Sequence, residues 1–100
     1  QRLRERDLGN AVETDARQAI LDLASARQQM ALAATRVRLA ETELAQARER
    51  FRAGVAGSVE TTNAQGSVAS ARDALIQARV SYGSARVTAY QALGAIDQLK

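Results

Sequence analysis

Few side chains in this sequence of 100 residues could carry chemistry. There is no His, which removes the commonest general base and metal ligand. There is no Cys, so disulfides and thiolate sites are excluded and the redox compartment cannot be read from thiols. Glu41 and Glu43 stand two apart and would point to different sides of a helix. Asp15 with Asp22, and Glu13 with Arg17, have ordinary surface spacings, and the latter suits a helix ion pair. Gly54-Val55-Ala56-Gly57-Ser58 lacks the Lys and the preceding strand of a phosphate loop. No catalytic residue, cofactor or metal is therefore expected, and an enzyme is not. Two charged patterns remain. Arg72, Arg79 and Arg86 recur every seven residues. They either shield a helix seam with their aliphatic stems or form a basic ridge for an acidic partner. Glu60 and Asn63 stand three apart just after the glycine pair, so on a helix they share one side.

The elements that position these residues are helical. There is no Pro, so long uninterrupted helices are allowed. From Val12 to Phe51 apolar residues recur at alternating steps of four and three, a heptad pattern. Within it Ala19, Ala26, Ala33, Ala40 and Ala47 fall every seventh place. Ala64, Ala71, Ala78, Ala85 and Ala92 do the same later in the chain. The two series mirror each other about a point between Val55 and Ala56, as an antiparallel helical hairpin requires. Ala33 is expected to face Ala78. The pattern predicts a helix over about 11–52, a tip at 53–58 and a helix over about 59–95. The first helix would be roughly 60 Å long at ~1.5 Å per residue. Leu8-Gly9-Asn10 reads as a break or a weakened early turn, and Gly94 as the end or fraying point of the second helix. Gly54 suits the left-handed residue that closes a helix. Ser58 suits the N-cap of the next, with Glu60 in its first turn.

A two-helix hairpin needs one apolar seam per helix. The second helix carries another stripe, Ile76, Val80, Gly83, Val87 and Tyr90. The first has a weaker extra set, Ile20, Leu21, Ala24, Ala31, Leu32 and Leu39. An all-α hairpin with an alanine-rich seam, associating into a larger helical bundle or barrel, is the fold expected. A stripe that stays exposed or packs in a dimer is the other reading. The tip is a bare connector or a contact surface, and apolar Val55 and Val59 at an exposed end favour contact. Net charge is +3, with basic and acidic residues alternating and no basic block joined by aromatics, so solvated helix faces are expected rather than a nucleic-acid surface. Nothing reads as a signal peptide or as the ~20 apolar residues of a spanning helix. The chain begins with Gln1 and is expected to be a piece of a longer protein.

Ala47-Arg48-Glu49-Arg50-Phe51-Arg52-Ala53-Gly54-Val55, followed by Val59-Glu60-Thr61-Thr62-Asn63-Ala64-Gln65, resembles the recurring block of the TolC-like outer membrane efflux family. In that family an A-R-x-R-[YF]-x-x-G run leads to an acidic residue and then V-L-[DN]-A-Q. Ala78-Arg79, Tyr82, Ala85 and Ala92-Leu93-Gly94 resemble its closing segments, and Asn10-Ala11-Val12 with Ala16-Arg17-Gln18-Ala19 its descending helix. The resemblance implies a trimer whose subunits supply strands to an outer membrane β-barrel and helices to a periplasmic tunnel. It implies that Arg52, Gly54, Val55, Ala56, Gly57, Ser58 and Val59 form a tip at the periplasmic entrance that docks onto the adaptor protein of a tripartite export pump. It implies that Glu60 and Asn63 stand at the pore entrance, where members carry two acidic rings. Asn63 departs from that pattern, as do Thr61 and Thr62, where aliphatic residues are usual. The rivals are the α-hairpin of a periplasmic adaptor and a nucleic-acid-binding coiled-coil arm.

Overall fold

The computed structural model describes the backbone of residues 2–99 and the side chains of residues 8–98. Two helices account for it, α1 over Arg2–Arg52 and α2 over Ser58–Leu99, joined by residues 53–57. No strand occurs among the described residues. The fold is an all-α hairpin, as the heptad spacing and the missing Pro require.

Both helices outrun their sequence-based bounds. Gly9 does not break α1, which begins at Arg2. Gly94 does not end α2, which continues to Leu99. A helix-interior glycine costs about 1 kcal/mol relative to alanine. Gly9 follows a run of arginine, leucine and glutamate, and Gly94 lies among Ala92, Leu93, Ala95 and Ile96. These neighbours propagate helix well enough to carry one glycine.

The chain divides into two units, each made of paired helix segments. One is Gln29–Arg79, which contains the turn. In it Ala33, Ala40 and Ala47 of α1 are buried, and Val68 is the buried residue of α2. Ala64, Ala71 and Ala78 are only half-buried. Glu41 of α1 accepts a hydrogen bond from Arg72 of α2 at 3.2 Å, in an ion pair that spans the two helices. The other unit joins Gln1–Gln28 to Val80–Lys100. There Ala16, Ala19 and Ala26 are buried against α2, whose Ala89 is buried while Ala85 and Ala92 are half-buried.

The burial is therefore asymmetric. The heptad alanines of α1 are buried, and those of α2 are half-buried. Among the described residues every buried side chain is Ala except Val68. The chain exposes 7799 Å², against ~5,500 Å² for a folded globular monomer of its mass. Much apolar surface stays uncovered, including Ile76 at 56%, Val80 at 65%, Val87 at 56% and Tyr90 at 64% exposure. These four, with Gly83, form the second stripe of α2.

The asymmetry ranks substitutions. Ala33→Leu drives bulk into a filled seam and should cost ~1–3 kcal/mol. Ala78→Leu, at a half-buried site, should cost less. Gln77→Leu, on an exposed position, should stay within ~0.5 kcal/mol. Thermal melting of the three variants checks the order, and equal shifts for Ala33 and Gln77 would refute the seam.

Candidate functional site

The site is built where α1 stops and α2 starts. Gly54 is the only described residue with the backbone in the left-handed region, at φ 75°. The Gly54 amide donates to the Phe51 carbonyl at 3.1 Å, and the Val55 amide to the Arg50 carbonyl at 3.0 Å. This pair of bonds is a Schellman closure, with Gly54 as the left-handed residue just past the helix. The Ala56 amide adds a bond to the same Arg50 carbonyl at 3.3 Å. Carbonyls that would otherwise lack partners at the end of α1 are thus satisfied by the turn itself. The usual apolar contact of the motif is missing, since Val55 is 69% exposed. Val59 is likewise 71% exposed, so two apolar side chains stand uncovered at the tip.

Ser58 does not cap α2. It lies inside the first turn, and its hydroxyl makes no hydrogen bond among the described residues. Its carbonyl instead accepts the Thr62 hydroxyl at 3.0 Å. Gly57, which can take the extended conformation needed ahead of a helix, occupies the position before it. Glu60 is in the first turn, near the positive end of the helix dipole.

Glu60 also has a partner across the turn. Its Oε1 lies 3.1 Å from Arg50 Nε, with both side chains about half exposed. Arg50 thereby closes α1 with its carbonyl and holds the start of α2 with its side chain. Arg52 is engaged elsewhere, donating to Glu49 at 3.1 Å. Asn63, one helical turn beyond Glu60, is exposed and lines a groove with Arg36, Leu39 and Glu43 of α1 and Gly66 and Ser70 of α2. Thr61, between them, has a buried hydroxyl oxygen without a hydrogen-bond partner.

The arginines spaced by seven have different surroundings. Arg72 pairs with Glu41. Arg86 lies over the Tyr90 ring, 5.9 Å from its centroid. A side-chain hydrogen bond to Tyr90, and secondly electrostatic interaction with Tyr90 and Tyr82, raise its pKa above the ordinary arginine value. Arg79 makes no ion pair among the described residues. A uniform basic ridge is absent from the described residues.

No cluster of acidic residues among those described could hold a metal ion, and no described helix is long and apolar enough to cross a membrane. The chemistry available at this end of the hairpin is contact through Val55 and Val59 and charge through Arg50 and Glu60.

Family comparison agrees with this kind of architecture. The sequence model of the outer membrane efflux protein family matches residues 5–95. The chain belongs to that family, whose members are channel proteins of the outer membrane with helical periplasmic parts. No curated protein and no solved structure matches it. Family membership favours a channel hairpin over the adaptor and nucleic-acid readings.

Sequence reasoning located Gly54 but missed the Arg50–Glu60 pair. The two residues are ten apart across a turn, outside any helical periodicity. The opposite charges flanking a tight turn were the available signal.

The turn geometry separates two glycines. A side chain at Gly54 would meet no neighbour within 4 Å, so the cost of Gly54→Ala is purely that of the left-handed backbone. It should destabilise by ~1–2 kcal/mol. Gly66→Ala, equally uncrowded but within α2, should stabilise by ~0.5–1 kcal/mol. Melting curves should move in opposite directions, and a harmless Gly54→Ala would contradict the closure.

Proposed function

We propose that this chain is a periplasmic tunnel-entrance hairpin of a trimeric outer membrane efflux channel. The carrying observation is the tip: a self-satisfied turn leaves apolar Val55 and Val59 exposed beside the charged start of α2. A turn that needs nothing from a partner to hold its backbone is suited to being a docking surface. In this reading Arg52, Gly54, Val55, Ala56, Gly57, Ser58 and Val59 meet the adaptor protein of a tripartite pump. The uncovered stripe of α2 meets other helices of the tunnel wall, which is how the self-association of the channel covers it. The hairpin acts by forming part of a conduit, with no catalytic step, no cofactor and no nucleic-acid partner.

Glu60 and Asn63 are assigned to the pore entrance. Three-fold symmetry makes each a ring. A ring of carboxylates in a narrow mouth favours cations and binds polyvalent ones, as acidic rings do in cation channels. Neutral Asn63 gives a weaker field than a second acid would. If Glu60 only supports the start of α2, its contribution is ~0.3–1 kcal/mol of helix stability.

Single-channel recording of the complete channel separates the two roles. Glu60→Gln should lower cation selectivity and weaken polyvalent-cation block, and Asn63→Asp should strengthen both. No change in either variant would leave Glu60 a helix-start residue and remove the entrance assignment. For docking, a photo-crosslinker at Val55 should capture the adaptor, while one at Gln77 should not. Capture at Gln77 but not Val55 would move the contact away from the tip.

A further inference from the structure

The Glu60 carboxylate is not a bare charge. Arg50 Nε stands 3.1 Å from its Oε1. Both side chains remain about half exposed, so the pair is reachable by an ion from solution. The neighbouring arginine at the tip, Arg52, is already taken by Glu49. Arg50 is also firmly placed, because its carbonyl receives two of the bonds that close α1. The guanidinium therefore leaves a fixed backbone anchor, and Glu60 leaves the first turn of α2.

We propose that Arg50 is the built-in counter-ion of Glu60 and sets the cation affinity of the entrance. The inference rests on the entrance reading above, and it specifies which residue tunes that site. With the pair closed, each Glu60 presents a dipole of nearly zero net charge. A monovalent cation gains less from it than from a bare carboxylate. A polyvalent cation can displace Arg50, since its attraction to three carboxylates grows with its charge while each arginine offers one. Arg50 thus makes the ring selective for highly charged cations and keeps it from trapping ordinary ones. Because an exposed ion pair contributes at most ~1 kcal/mol, exchange of Arg50 for a cation is not blocked by the pair's own stability.

The test uses the complete trimeric channel in planar bilayers, with La³⁺ added on the hairpin side and assembly checked by native electrophoresis. Arg50→Gln should tighten La³⁺ block at least about tenfold, equivalent to ~1.4 kcal/mol. Arg50→Lys should restore block close to that of the unaltered channel. In the double variant Arg50→Gln with Glu60→Gln the gain should disappear. An Arg50→Gln channel with unchanged block would overturn the proposal. So would an equal gain with or without Glu60, which would make Arg50 a remote charge acting independently. A Glu60→Cys channel probed with Cd²⁺ tells the two levels apart. Cd²⁺ block there together with a silent Arg50→Gln removes the counter-ion role alone. No Cd²⁺ effect removes the entrance placement of Glu60, and the counter-ion proposal with it.

Discussion

The constraint on which this structure depends is the small size of the residues in its seam. Alanine at every seventh place of α1 is buried, and no described side chain larger than Val68 joins it. Burying alanines gains dispersion contacts along the seam but removes little apolar area from water. The chain carries more exposed surface than a globular chain of its mass, and it leaves Ile76, Val80, Val87 and Tyr90 wet. Such a sequence makes sense when further helices supply the missing cover, which is the condition inside a tunnel wall. Membership of the outer membrane efflux protein family is consistent with that condition.

The turn follows the opposite rule. It draws on nothing outside itself. Gly54 takes the left-handed backbone, and the amides of residues 54–56 return to the carbonyls of Arg50 and Phe51. Side chains at the tip are then free of structural duty, which is why Val55 and Val59 can stand exposed.

Much of this was legible in the residues. Alternating steps of four and three announce helix because a helix returns to the same side at that spacing. Gly54 was identifiable as the left-handed residue because it follows a long heptad run directly. Other features depend on information that periodicity does not hold. Ser58 is a good capping residue by type, yet the helix begins at it and Gly57 precedes it. Gly9 and Gly94 look like breaks, yet strong helix formers beside them outweigh one glycine. The mirror of alanines was visible, but its unequal burial was not, because both series have the same residue type and spacing. The Arg50–Glu60 pair depends on how tightly the turn brings two helix ends together.

That pair changes how acidic residues at such a turn should be read. A carboxylate in the first turn of a helix already benefits from the helix dipole. An arginine in the last turn of the preceding helix benefits equally from the negative end of its own. A tight antiparallel turn sets these two favourable positions side by side. Each charge is placed by its own helix, and their mutual contact follows from the turn. The same geometry that makes the hairpin tip self-sufficient therefore makes its acid self-neutralised. The net field at the tip is then decided by whichever competitor can separate the two groups.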